Sequence, residues 1–533
     1  MLATTEYDQH VSARLLDFFS DRTAWQRTLW SSGTILNLKE LLEASDAVAN
    51  GVVSQSSLGN YAHSIDITVG RDFGVGDDLR RKQLCALLKV DDRNRTLAAG
   101  SFQYRSIEML IPEISNEYLR HWATALAPAS KPVRAERAAR AIAAHLLDCG
   151  VHPEFLHRWW TFKSKYEPGS KGLSELLEEA NLVVSVPERD FEALLIFEKA
   201  VPIDARRPQP KQWLTNKEVS EWLQTNQFSV SGLRQKGGYL IQMKARDTRT
   251  VIDAVAEAEA RLISRINLGT PSFNGLKTFG RVWIKGEQKH FEIPHPRRRV
   301  EIHSLQRENQ LYNLRNFGTI DAAIELIEPL DAQPPSAAVA GGWAAIEALL
   351  TGPGDRDQRV QAGDRLAAIT ACSFPRAELT TLSYELERQG GPLIVELKAC
   401  SSNKERCEIV LREINAKTQF AFKRGSDTAA MARLIALVEN PGRVLRDIEA
   451  RLSECFRRLY RNRNIVLHGG KTDAVGLRAC LRLTAPLVGA GLDRIAHAAY
   501  TEGLSPLELA ARARIRLDAL DSAVAVRPID LLS

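Results

Sequence analysis

The sequence predicts an α+β protein, mainly α, in three parts. These are a mixed region over 1–205 that turns helical in its second half, a small α/β unit over 206–330, and a helical domain over 336–533. Three observations predict it. The 533 residues exceed what one hydrophobic core usually serves, so about two to four domains are expected. Two proline-rich, apolar-poor stretches, Val201–Pro210 and Glu328–Pro335, read as linkers or exposed connections, because proline removes a backbone donor and disfavours helix at the residue before it. After Ser336, apolar residues recur at helical spacing almost without interruption.

Each element follows from its pattern. Ser64–Val69 alternates polar and apolar like a strand, whereas Arg134–Leu147 is alanine-rich and helical. Between the two linkers, Tyr239–Ala245 reads as a strand, Thr250–Ile266 as an amphipathic helix and Arg281–Lys285 as another strand. No internal repeat or low-complexity segment stands out.

The bulk numbers exclude several classes. With 44% apolar and 26% charged residues the chain is neither disordered nor fibrous, and no apolar run reaches membrane-spanning length. The N-terminus lacks a basic flank followed by an apolar stretch, so a secreted protein is not expected. Seven cysteines lie singly, with no C-x-x-C pair, which argues against a disulfide framework and for a reducing, cytoplasmic setting. A net charge of +6 is compatible with nucleic acid without requiring it.

The stretch richest in chemistry is the end of one long helical pattern. Asn440 is a capping residue and Pro441 suits the first helical position. Leu445, Ile448, Leu452, Cys455, Phe456 and Leu459 then form one apolar stripe, and Gly469–Gly470 supplies a stop. One more step along the stripe lands on Arg463, where a core-facing guanidinium is costly unless it is paired or borders a cleft. Asn464 and His468 are four apart and share a face, and Arg461 and His468 nearly align two turns apart. Arg463 and His468 are about 140° apart around the axis and are not expected to stack directly. Seven arginines between Gly442 and His468 face three acids, a surface suited to phosphate; the plainer reading is a solvated basic helix face.

Arg463-Asn464-Ile465-Val466-Leu467-His468 resembles the R-x4-6-H signature of HEPN domains. With Tyr460 before it and Gly469–Gly470 after it, the stretch is similar to the Apea-like HEPN branch. Gly341–Leu349, with Trp343 and Glu347, resembles that family's early helix, so the likeness spans roughly residues 336–500. It implies a HEPN-like helical bundle that forms a homodimer or higher homo-oligomer, in which two such motifs face each other. It further implies metal-independent endoribonuclease activity with no cofactor, leaving a 2′,3′-cyclic phosphate. His468 would then move the proton, Arg463 would stabilise charge on the phosphorane oxygens, and Asn464 would hold the phosphate or the imidazole. Arg458, Tyr460, Arg461 and Asn462 are the expected RNA-binding residues, and Arg461 also satisfies the motif's spacing. The role implied is a regulated toxin or anti-phage defence effector acting by abortive infection. Residues 1–330 would sense a phage-derived or nucleic-acid trigger. The alternative is a non-catalytic HEPN module that binds RNA or a protein, with the activity elsewhere in the chain.

Other candidates have plainer readings. Leu393–Lys398 looks like the Glu-x-Lys strand of a Mg²⁺-dependent nuclease, but no upstream acid is placed beside it. His145, Cys149, His152 and His157 cluster as zinc ligands do, yet Gly150 and Pro153 interrupt the spacing. Gly70–Gly76 lacks the features of a phosphate-binding loop and reads as a plain loop. Pro296–Arg299 is a short basic run, usually solvated surface. Leu504–Ala510 opens a helix on a Ser cap and resembles part of a helix-turn-helix.

Overall fold

A computed structural model describes residues 5–89, 97–128, 133–166, 171–201, 203–204, 206–229, 232–270, 275–294, 297–314, 318–355, 359–521 and 526–533. The protein is mainly helical with one small antiparallel sheet. The first part is α1 (Glu6–Phe19), α2 (Thr34–Ala49), α3 (Gln55–Val69), α4 (Asp78–Leu87), α5 (Phe102–Leu126), α6 (Ala135–Asp148), α7 (Pro153–Thr161) and α8 (Leu173–Ser185). The expected strand at Ser64–Val69 is corrected: the described residues before Arg189 hold no strand. Ser64–Val69 belongs to α3, where Ile65 and Val69, four apart, are buried while Ile67 faces solvent. Burial at a helical period overrides the alternation.

The sheet begins earlier than expected, at β1 (Arg189–Lys199), and continues through β2 (Trp213–Leu214), α9 (Asn216–Thr225), β3 (Gly238–Ala245), α10 (Thr248–Gly269), β4 (Lys277–Ile284) and β5 (Phe291–Glu292). Its order is β2-β3-β1-β4-β5, with every pairing antiparallel. The centre is therefore β1, which the sequence reading had placed in the first region. Phe191, Ala193, Leu195 and Phe197 pack against α10 on one face, while Leu194 and Ile196 pack against α9 on the other. A strand covered on both faces reads as a continuous apolar run and gives no alternation to recognise.

The last part is α11 (Ser304–Arg307), α12 (Thr319–Ala332), α13 (Pro335–Leu350), α14 (Gln361–Gln389), α15 (Ile394–Ala399), α16 (Asn403–Asn415), α17 (Gly425–Glu439), α18 (Pro441–Leu467), α19 (Leu477–Glu502) and α20 (Pro506–Asp518). The second of these stretches is a short connection between helices rather than a linker between domains. Pro329 lies inside α12 and Pro335 opens α13, so Glu328–Pro335 is the tight corner of a helical hairpin. Of the first expected linker, Pro202 and Ala205 lie outside the described residues.

One apolar core serves both ends of the chain. It runs from Val11 and Leu15 through Trp122 and Trp160 to Trp343, Phe456 and Leu532. Buried ion pairs cross the same junction. Arg27 donates to Glu378 at 2.6 Å and to Asp427 at 2.7 Å, and Arg433 donates to Glu136 at 3.3 Å. Among the described residues, no helix is long and apolar enough to cross a membrane.

Candidate active site at the end of the long C-terminal helix

The side chain of Asn440 accepts from Arg443 N at 3.3 Å and Pro441 occupies the first turn, so α18 starts where its sequence says. Its buried stripe packs against α13, α14 and α19. Each fully buried Leu or Phe there contributes about 1.5–3 kcal/mol. Tyr460 meets Trp343 of α13 with ring centroids 4.8 Å apart. The helix ends on His468, whose N–H is donated to Asn464 O at 2.9 Å. Gly470 then turns the chain at φ +65°, a conformation costly for residues with a side chain.

Helix α2 fixes what lies beneath this end. Arg458 Nε donates to Glu40 Oε2 at 2.9 Å, and its Nη2 donates to Asn37 Oδ1. Lys471, just past the helix, pairs with Glu43 at 2.5 Å, and Val475 N donates to the same carboxylate. Gly476 is required by close approach: a Cβ there would collide with the Glu40 carboxylate.

These contacts divide the expected site residues into two groups. Arg458, Arg461 and Asn462 are buried, and Tyr460 is half-buried against Trp343. Of the four residues expected to bind RNA, three are thus enclosed by protein and one is partly covered. Arg461 pairs with Glu454 at 2.8 Å and lies 3.7 Å over the Tyr61 ring; Asn462 donates to Arg458 O at 3.0 Å. The buried guanidinium groups of α18 are thus Arg458 and Arg461, and carboxylates satisfy both. Arg463, the expected misfit, is only half-buried.

The second group comes together. Arg463 Nη1 donates to Asn464 Oδ1 at 3.0 Å and to His468 Nε2 at 2.8 Å. The five-residue separation, which had argued against direct contact, is bridged because the imidazole sits on the capping residue and the arginine is long enough to reach it. In this bond Nε2 is the acceptor, so the ring is the neutral tautomer carrying its proton on Nδ1. Asn464 steadies Arg463 rather than the imidazole. His468 is exposed, as is Leu467 beside it, and the trio stands on an open face. Comparison with protein-family models, curated proteins and solved structures gives no match. The site is therefore argued from its own geometry.

The remaining candidates resolve as structural parts. Leu393–Lys398 is mostly α15, a helix, and Glu396 pairs with Arg412 at 2.6 Å. His145 is buried 3.5 Å from Cys149 Sγ and stacks on Tyr118, while His152 caps α7 and lies 3.2 Å from Asp253. Among the described residues, no three potential ligands converge on a metal position. The Gly70–Gly76 loop carries Asp72, a buried acceptor for the Tyr118 hydroxyl at 2.7 Å and the Trp122 indole at 3.1 Å; burial pushes its carboxyl up. Arg298 and Arg299 donate to backbone carbonyls of Leu330 and Asp21, acting as clasps, and Pro296 lies outside the described residues. Ser505 does cap its helix, accepting from Glu508 N at 3.3 Å.

The sequence reading missed Glu40 and Glu43, which hold the end of α18 from more than 400 residues away. Their only signal was three polar residues at spacing three, Asn37, Glu40 and Glu43, among the leucines of one helix.

Proposed function

We propose that the chain is a metal-independent endoribonuclease of the HEPN type, with Arg463 and His468 as its catalytic pair and Asn464 positioning Arg463. The observation that carries this reading is the 2.8 Å contact between the Arg463 guanidinium and His468 Nε2. A guanidinium resting on an imidazole lone pair is a stored pair of tools. A phosphodiester draws the cation to its non-bridging oxygens and leaves Nε2 free to take a proton. The ribose 2′-oxygen then attacks phosphorus, its proton passes to a base, and the bond to the 5′-oxygen breaks with protonation of that oxygen. The products are a 2′,3′-cyclic phosphate and a 5′-hydroxyl. A single open trio supplies one proton-transfer group, and a homodimer facing two such trios supplies both. The helices and sheet before residue 330 fit the regulatory part of a toxin or anti-phage effector.

The second reading is a non-catalytic RNA- or protein-binding module. The 49% exposure of Leu467 beside His468 favours it, since an apolar side chain on the open face suits docking. Cleavage of total RNA by purified protein in EDTA separates the two. His468→Ala and Arg463→Ala are each expected to lower the rate by about 10²–10⁴. Cleavage by His468→Ala at the parental rate, or its loss on adding EDTA, sinks the proposal.

A further inference from the structure

The first half of α18 forms one wall of a different feature. A cavity of about 880 Å³ lies between it, α17, α1 and α6, lined by nine arginines and only two carboxylates, Glu136 and Asp447. Those two acids are already occupied. Glu136 is shared among His10, Arg14, Arg140 and Arg433, and Asp447 pairs with Arg451 at 3.0 Å. Among the described residues, Arg71, Arg137 and Arg443 have no carboxylate within ion-pair distance, and Arg140 has only the shared one at 3.7 Å.

Crowding of like charge in a partly dry space leaves a mark. Burial, aided by Arg451, pulls Arg140 down to about 9; burial and then Arg71 and Arg451 lower Arg137. Such a cluster is unfavourable until an anion joins it. The opposite wall is apolar, built on Trp30 and Phe374, whose rings meet edge to face at 5.8 Å. A smaller cavity of about 280 Å³ shares Trp30, Arg71, Arg137, Arg140 and Arg451 and extends the space toward Arg458.

We propose that this cavity binds a small polyphosphorylated anion of nucleotide size, its phosphates held by Arg137 and Arg140 inside and by Arg71 and Arg443 at the mouth. Guanidinium forks match phosphate oxygens two at a time, and the volume falls in the range of about 300–1,000 Å³ usual for small-molecule sites. A small ligand fits better than a nucleic-acid strand, because Arg140, with 18% of its side chain exposed, lies inside the cavity rather than along an open track. Twelve residues of α18, about 18 Å of helix, separate Arg451 from Arg463. The site is therefore distinct from the Arg463–His468 pair and does not depend on the nuclease reading.

The test is calorimetric titration of the full chain with ATP, GTP and inorganic tripolyphosphate at about 0.15 M ionic strength. Saturable binding with one ligand per chain is expected. Arg137→Ala with Arg140→Ala should weaken it about a hundredfold, near tenfold for each lost charge-assisted contact. Arg478→Ala, on a separate surface where Arg478 pairs with Glu257, should leave it unchanged. A nucleotide binding at least about tenfold tighter than tripolyphosphate assigns a base to the Trp30 wall; equal affinities assign the site to polyphosphate itself. Removing crowded charge should not lower the melting temperature. If the double variant nevertheless fails to fold, Arg443→Ala at the exposed mouth should still cost about tenfold. The proposal is overturned if none of the three probes binds below about 1 mM, if the substitutions leave affinity intact, or if only an RNA oligomer binds.

Discussion

Replacing Arg458 with alanine should unfold the region rather than disarm it. The side chain is 2% exposed, its Nε 2.9 Å from Glu40 Oε2 and its Nη2 on Asn37. Truncation strands the buried Glu40 carboxylate with the Tyr61 hydroxyl, 2.7 Å away, as its remaining side-chain donor, and leaves a void under α18. Removing one partner of a buried pair costs about 3–5 kcal/mol, a large share of the ~5–15 kcal/mol that holds a typical domain. Neutralising both partners, with Arg458→Met and Glu40→Gln together, should recover most of that loss, because no unpaired charge remains. Urea unfolding followed by tryptophan fluorescence measures all three variants. The reasoning fails if Arg458→Ala unfolds within about 0.5 kcal/mol of the parent yet loses RNA binding, for then Arg458 faces a ligand and not Glu40.

The buried Glu378 pairs with Arg27 from the other end of the chain and with Arg433 beside it, so Glu378→Ala should cost about 3–5 kcal/mol in the same assay, with little change expected if Arg27 and Arg433 find water instead. Burial holds the His145 imidazole down at about 3. An unfolded histidine takes its proton near 6.5, so between about pH 6.5 and 3 the unfolded chain binds a proton that the native one refuses. Stability should therefore fall with falling pH by up to about 1.4 kcal/mol per unit across that window, and His145→Phe, which keeps the ring over Tyr118, should flatten the slope. Equal slopes in the two proteins would refute this. Glu396→Ala, on an exposed face of α15, should stay within about 0.5 kcal/mol of the parent and keep any RNA cleavage; a cleavage defect would revive a metal-dependent nuclease.

What the sequence disclosed was local. Asn440, Pro441 and Gly470 mark the limits of α18 because capping and left-handed turns depend on residues within a few positions. The helix α10 and strand β3 were legible for the same reason: each leaves polar residues on one face and so shows its period, whereas β4, buried on both faces at Val282–Ile284, was marked by the charged residues Arg281 and Lys285 that bracket its short apolar run. The central strand β1 was not, since both of its faces are covered. Within the site, the meeting of Arg463 with His468 was half visible. Their nearness followed from sequence, but the hydrogen bond depends on the capping conformation of His468 and the reach of Arg463. Which arginines are interior could not be read at all, because Glu40, Asn37 and Tyr61, which make Arg458 and Arg461 tolerable there, come from the far end of the chain.

The shared core has a consequence for what cutting the chain would do. Trp122 and Trp160 at the front and Trp343 and Phe456 at the back belong to one apolar mass. Clipping off the front half would not liberate an armed C-terminal fragment; it would tear away half of the scaffold that keeps α18 upright. Release of an intact C-terminal fragment by proteolysis is thus closed to this architecture, and under the proposed nuclease reading a signal would have to reach the tip of that helix through an uncut body.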